Sequence, residues 1–145
     1  MERVREDGYR ASDDAERIDR ARVWRWLAED SYWATGRPRD VQDRAIDHSL
    51  CVGLYAPDGR QVGFCRLVTD RATFAWLCDV FVDEAHRGNG LGAFMVDFAV
   101  SHPALGSVRR QVLITSTAHA LYARFGYGPV TDDRLANWMV RLSPG

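Results

Sequence analysis

The sequence predicts a mixed α/β sheet: an antiparallel meander followed by a β-α-β unit that adds a parallel strand, with helices on both faces. Three apolar runs, at 50–55, 61–69 and 73–82, are joined by short polar turns. Turns that short can join only antiparallel neighbours. An amphipathic segment at 90–101 then precedes another strand at 109–115, as expected for a crossover helix between parallel strands.

Length, charge and cysteine content narrow the function classes. The 145 residues fit a single domain, 1–145, and a net charge of −1 argues against a general nucleic-acid or membrane-surface binder. No run is apolar enough to cross a bilayer and the first residues do not form a leader, so the cytoplasm is the expected location. The cysteines lie far apart in apolar runs and are expected to be reduced, and no spacing suggests a metal site.

Capping residues and periodicity indicate the elements that precede the meander. Residues 1–10 are expected to be partly ordered at best, with a short strand near 9–12. Asp19 is a suitable N-cap for a helix that runs to about Asp30. Pro38 suits the first turn of a second helix.

The C-terminal part of the chain predicts two further elements. A short helix at 118–125 is stopped by Gly126. A final strand at 137–142 is expected to pair with residues near 127–130.

A glycine-rich turn between the meander and the crossover helix is the most informative segment. The preceding strand ends at Val82, and the turn reads Arg87-Gly88-Asn89-Gly90-Leu91-Gly92. Glycines leave backbone N–H groups uncovered at the positive end of a helix dipole, which favours an anion. We expect that anion to be a pyrophosphate.

Two phosphate-binding patterns fit this turn. Gly88, Gly90 and Ala93 satisfy the dinucleotide fingerprint G-x-G-x-x-[G/A], which predicts an NAD-dependent oxidoreductase. However, antiparallel strands come first, the remaining chain is short for that fold, and no acidic residue stands about twenty positions further on. A Walker A loop is excluded because the sequence contains no lysine.

The second pattern is [R/Q]-x-x-G-x-[G/A], which the segment from Arg87 to Gly92 satisfies. Further along, the chain reads Ala118-His119-Ala120-Leu121-Tyr122-Ala123-Arg124-Phe125-Gly126-Tyr127, which matches A-x-x-L-Y-x-x-x-G-[F/Y]. With both motifs in this order, most of the chain resembles the GNAT N-acetyltransferase superfamily, and small bacterial members in particular.

The resemblance implies acetyl-CoA as co-substrate and an amine, small or peptidic, as acceptor. In this family the amides of the turn hold the pyrophosphate; here they are those of Arg87, Gly88, Asn89, Gly90, Leu91 and Gly92. Pantetheine enters where the last meander strand splays from the strand near Leu113 and pairs with backbone groups at Val80, Phe81 and Val82. The resemblance adds Ala118 and Tyr122 to the implied cofactor site, and implies no metal.

The same resemblance places Tyr122 as general acid beside the thioester sulfur. The alternative is that Tyr122 only packs its helix. A backbone N–H near Phe81 is the hypothetical oxyanion donor.

The general base is less clear from the sequence. Some members carry a glutamate where this chain has Trp76. Asp79 is the nearest substitute, and burial is expected to raise its pKa, which suits a base. Two alternatives stay open: Asp79 is structural, and either hydrogen-bonds backbone groups or pairs with Arg66, or a water chain replaces a dedicated base.

The N-terminal aromatic residues indicate an acceptor pocket. Trp26 shares the apolar stripe of the first helix, whereas Trp24, Tyr32 and Trp33 are candidates to line a pocket for an apolar or cationic amine.

A second hypothesis is a degenerate module that binds CoA without turnover, because the glutamate is missing. The chain is expected to be a monomer or a homodimer.

Overall fold

The structure, a computed structural model, describes residues 1–142 and confirms the mixed sheet. The chain divides into two compact units, one of residues 1–114 and a second that begins at Thr115. The first unit contains β1 (Glu2–Val4), β2 (Arg10–Ser12), α1 (Arg20–Arg25), α2 (Arg39–Asp47), β3 (Leu50–Tyr55), β4 (Gln61–Thr69), β5 (Phe74–Val82), α3 (Leu91–Val100) and β6 (Arg110–Val112). The second contains α4 (His119–Ala123) and α5 (Asp132–Leu135).

The sheet has the strand order β1-β2-β3-β4-β5-β6. Every neighbouring pair is antiparallel except β5 and β6, which are parallel. Both the predicted meander and the predicted parallel junction are therefore confirmed. The β3–β4 turn closes through a 2.9 Å hydrogen bond from the Ala56 amide to the Arg60 carbonyl, and Gly59 adopts a φ of 87° within it.

The first helix begins where its cap predicts, but it changes geometry along its length. The Asp19 carboxylate accepts a 3.0 Å hydrogen bond from the Arg22 amide. From Trp26 to Asp30 the helix widens into a π turn. Ser31 ends it, because its hydroxyl donates to the Leu27 carbonyl at 2.6 Å instead of continuing the helix. Pro38 is the N-cap of α2 rather than its first helical residue.

The two faces of the sheet carry different helices. Phe64 of β4 lies opposite Phe81 of β5, and both side chains pack with Trp26 of the π turn in one buried cluster. Val82 points to the other face, because side chains alternate along a strand, and it faces Gly92 of α3. α1 and α2 therefore cover one face, and α3 buries Leu91, Met95 and Phe98 on the other.

Three expectations about the ends of the chain are corrected. Residues 1–10 are more ordered than predicted, because β1 pairs with β2 at the edge of the sheet. β6 is shorter than the predicted 109–115. The strand predicted at 137–142 does not form within the described residues, where that stretch lies exposed; an apolar run becomes a strand only when another strand pairs with it.

Truncating α3 in the core should cost far more stability than truncating an exposed sheet residue. Phe98 is fully buried, so Phe98→Ala should lower the free energy of unfolding by about 3–5 kcal/mol. Val68, exposed on β4, is the control, and Val68→Ala should change the free energy by roughly 0.5 kcal/mol or less. Urea unfolding followed by circular dichroism measures both; equal losses would contradict this packing of α3.

Candidate functional site

The central feature of the first unit is a strand edge that β6 leaves open. β5 runs to Val82, but β6 pairs with it only at Phe74, Ala75 and Trp76. The Asp83 amide donates to the Val62 carbonyl at 2.8 Å, which sets the alternation of the β4–β5 ladder. The carbonyl of Val80 and the amide of Val82 consequently face away from β4, toward the open side. β6 itself ends at Val112, opposite Trp76, and the predicted divergence of the two strands stays a prediction.

The glycine turn follows directly and ends at α3. Gly88 and Gly90 have φ values of 82° and 72°, a left-handed conformation that favours glycine, and Gly90 is the N-cap of α3. A Cβ on Gly88 would meet no atom within 4 Å, so the surface of the turn is open. Gly92, by contrast, needs no special conformation. Exposed amides at the N-terminus of a ten-residue helix favour binding of a diphosphate. The open strand edge beside them can pair with an amide-bearing arm attached to that diphosphate.

Arg87 occupies one hydrogen-bond acceptor on the open edge, the carbonyl of Val82. Its Nε donates to the Val82 carbonyl at 2.8 Å, and its guanidinium lies 5.1 Å from the centre of the Phe81 ring. This contact fixes the exit of β5 against the start of the turn. The carbonyl of Val80 and the amide of Val82 are left as the edge groups that an incoming arm can pair with.

Sequence reasoning missed Arg5, which lies between β1 and β2. Its Nη1 donates to the Asn89 carbonyl at 2.7 Å, and its Nε donates to Asp7 at 2.8 Å. A second brace is the 2.9 Å hydrogen bond between the Tyr9 hydroxyl and Nδ1 of His86. The N-terminal hairpin therefore holds the turn from outside. The only signal for Arg5 in the sequence was the high density of charged residues near it, and that density did not indicate that its partner would be Asn89.

Asp79 lies at a β-bulge in the middle of β5. The register shifts between Phe64 and Arg66 of β4, so Asp79 and Val80 together lie opposite one residue, Cys65. Asp79 has a φ of 53°, a left-handed conformation that aspartate tolerates better than most residues. The bulge turns the carboxylate onto the face that carries Arg66.

Two guanidinium groups hold that carboxylate. Nε of Arg66 donates to Oδ2 at 2.6 Å; Arg37 donates from Nη1 to Oδ2 at 2.7 Å and from Nη2 to Oδ1 at 3.2 Å. Burial alone would raise the pKa of Asp79, but these bonds and charges outweigh it and lower the pKa. The predicted raised pKa is therefore wrong, and the predicted pairing with Arg66 is confirmed. Arg37 was missed, although a buried acid always calls for partners.

The aromatic residues of the N-terminal helices have distinct environments. Trp26 is a core residue, as predicted, and stacks on Phe81 with ring centres 5.5 Å apart. Nε1 of Trp24 donates to the Arg37 carbonyl at 2.9 Å, so Trp24 supports the segment that carries Arg37. Tyr32 and Trp33 are exposed and pack edge to face, with ring centres 4.9 Å apart.

The second unit carries the other motif. Ala118 is the N-cap of α4, and its carbonyl accepts the amide of Tyr122 one turn later at 3.2 Å. Tyr122 is buried and packs edge to face with Tyr127, with ring centres 6.2 Å apart. Gly126 ends this region with a φ of 82°. The first unit thus brings together the turn, the open edge and Asp79, while Ala118 and Tyr122 lie together on α4.

The cysteines are core thiols. Cys51 and Cys65 are buried and Cys78 is half-buried, all three free. Burial raises the pKa of Cys51 to about 12 and that of Cys78 to about 11, which keeps both protonated and poorly nucleophilic.

Within 1–142 the histidines, cysteines and acids form no group of three or more that could hold a metal ion. Over the same span, no helix combines the length and apolar character that crossing a membrane requires.

Comparison with known proteins gives the family. The acetyltransferase (GNAT) domain model matches residues 47–129, which include the meander, the turn and α4. A Gibberella zeae protein provisionally named acetyltransferase FG08082 is 29% identical over 113 residues. That alignment covers 64% of this chain and spans 63% of the length of the relative.

Solved structures agree with this match. A Xanthomonas campestris protein provisionally assigned to the GNAT acetyltransferases has a TM-score of 0.87 and 44% identity, over 94% of each chain. Rv2747 of Mycobacterium tuberculosis, crystallised with CoA, has a TM-score of 0.64 and 20% identity, over 88% of this chain and 79% of its own, and shares the fold. This chain belongs to the GNAT family of acetyltransferases.

Proposed function

We propose that this protein transfers the acetyl group of acetyl-CoA to the nitrogen of an amine acceptor, by direct attack of the amine on the thioester. The observation that carries the proposal is the open turn at Gly88 to Gly90, placed at the end of the unpartnered edge of β5. The family uses acetyl-CoA, and the residues present fit it.

The chain's own groups bind the donor in two ways. The amides of Gly88, Asn89 and Gly90, at the N-terminus of α3, bind the diphosphate with the help of the helix dipole. The Val80 carbonyl and the Val82 amide hydrogen-bond the pantetheine arm as an added strand would. An oxyanion donor near Phe81 stays a prediction.

Tyr122 serves in this proposal as the proton donor to the departing thiolate. As the amine nitrogen bonds to the carbonyl carbon, the carbon–sulfur bond breaks and the Tyr122 hydroxyl gives its proton to the sulfur. Solvent reprotonates the phenolate. The motif match at 118–127 supports this role, and a phenol remains protonated near neutral pH.

The amine loses its proton to water in this proposal rather than to Asp79. An acid held by two guanidinium groups, with its pKa lowered, is a weak base. Asp79 instead positions Arg37 and Arg66. The absence of a free carboxylate at the bulge, with Trp76 where some members have glutamate, also favours a second candidate, a module that binds CoA without turnover.

Tyr122→Phe should lower kcat by roughly a hundredfold or more, because the phenol proton is lost, while the Kd for CoA is unchanged. Tyr127→Phe is the matched control, since Tyr127 contacts Tyr122 but has no proposed chemical role. Free-thiol release from acetyl-CoA with a panel of amines measures kcat, and calorimetry measures Kd. If Tyr122→Phe remains fully active, Tyr122 is not the acid; if the wild type binds CoA without turnover, the second candidate holds.

Gly90→Val should weaken CoA binding by roughly tenfold or more, because valine disfavours a φ of 72° and adds bulk beside the diphosphate amides. Gly59→Val places the same strain, at a φ of 87°, in the β3–β4 turn, and should leave the Kd for CoA unchanged. Calorimetric titration with CoA compares the two. Equal affinity in both variants would place the diphosphate elsewhere.

Asp79→Asn should lower the free energy of unfolding by about 3 kcal/mol at neutral pH, because two half-buried guanidinium groups lose their carboxylate. The pKa of Asp79 is lowered in the folded state, so its contribution is present above the ordinary aspartate pKa, near 4, and is lost as pH falls through the folded value. The difference between variant and wild type should therefore shrink on acidification. Urea unfolding across a pH series measures the difference in free energy of unfolding between variant and wild type. A difference that does not change with pH would contradict the positioning role. So would a variant of normal stability whose rate no longer falls at acidic pH as the wild-type rate does.

A further inference from the structure

One face of the β4–β5 pair has three regions along the strands. The first is apolar and buried, the second is charged, and the third is apolar and exposed to solvent. The register places Phe64 with Phe81 under the π turn, then Arg66 with Cys78, then Val68 with Trp76. Trp76 is 40% exposed and Val68 42% exposed, so the far end of this face is an accessible apolar floor. The charged step between the two regions lies at Asp79, immediately before the open edge that begins at Val80.

The charged step has an excess of positive charge. Asp79 is the only carboxylate in the described chain that pairs with Arg37 or Arg66. Two guanidinium groups around one carboxylate leave a formal charge of about +1 in a poorly solvated place. Arg66 also holds Ser49, since its Nη1 donates to the Ser49 hydroxyl at 3.2 Å.

A buried amide adds an unused donor at the same place. Gln42 of α2 is 0% exposed, and its Oε1 accepts a 2.7 Å hydrogen bond from Nη1 of Arg37. That bond fixes which end of the amide is the oxygen. Its Nε2 is buried without a hydrogen-bond partner in the part of the chain that the structure describes. At 0% exposure this donor does not reach a bound acceptor, and the amide instead holds Arg37 in place through its oxygen.

From these observations we propose that Arg37 and Arg66 recognise an anionic group on the acceptor, so that the substrate is an amine that also carries a carboxylate or phosphate. This inference rests on the proposed acetyl transfer and names the acceptor class of that same site. The apolar part of the acceptor lies on Trp76 and Val68.

The test compares amines that differ in the acidic group. The pairs are phenylalanine with phenylethylamine, β-alanine with propylamine, and phosphoethanolamine with ethylamine; the first two report a carboxylate and the third a phosphate. For at least one pair, kcat/KM for the amine that carries the acidic group should exceed that of the amine without it by roughly ten- to a hundredfold. Arg37→Gln should abolish the preference and Arg37→Lys should retain part of it. Arg60→Gln, an exposed arginine in the β3–β4 turn, should leave the preference unchanged.

A binding measurement separates this inference from the proposed function. Calorimetry in the presence of CoA compares N-acetylphenylalanine and N-acetyl-β-alanine with their neutral amides, and phosphate-bearing with phosphate-free acetyl products. Turnover of neutral amines as fast as anionic ones overturns the inference and leaves acetyl transfer intact. Anion binding that depends on Arg37 without any turnover supports the inference and overturns the enzyme. Failure of every anionic amine and product to bind overturns the inference.

Discussion

The ion cluster at the β-bulge is the constraint on which the rest of the site depends. Asp79 occupies an unfavourable backbone conformation inside an otherwise apolar strand, and only its two guanidinium partners make its burial tolerable. The bulge places its extra residue in β5 three positions beyond Trp76, the last residue that pairs with β6. The same carboxylate orders Arg37 and Arg66. In the proposed site, donor and acceptor regions therefore meet at a single side chain.

The donor side is built mainly from backbone groups. Its turn amides and strand-edge groups carry no information in their side chains, so tolerance to substitution there should be limited by conformation rather than by chemistry. Gly88 and Gly90 are needed for their positive φ values, whereas Gly92 sits in regular helix. In the proposal, the acceptor side is the opposite, since it uses side chains of the segment before α2, of β4 and of β5. Family members that share the donor arrangement can therefore differ in acceptor without a change of fold.

The parts of the fold that the sequence predicted are those set by local pattern. Strands β3 and β4 have the expected bounds, and Asp19 caps α1, because alternation, turn residues and capping act over a few positions. The errors come from contacts distant in sequence. β1 exists because β2 pairs with it, and the predicted strand at 137–142 lacks such a partner among the described residues. The sign of the Asp79 pKa shift was missed for the same reason, since Arg37 reaches it from 42 positions away.

The N-terminal brace has a consequence for the order of folding. Arg5 and Asn89 are separated by 84 positions, and the pair formed by Arg3 and Asp97 by 94. Contacts of such long range carry a large loop-closure entropy and are made after local hairpins have formed. The β3–β5 meander can assemble first from neighbouring strands, while the hairpin of β1 and β2 docks onto α3 late. The nucleation of this chain is therefore expected to lie in its middle, with its earliest residues among the last to reach their native contacts.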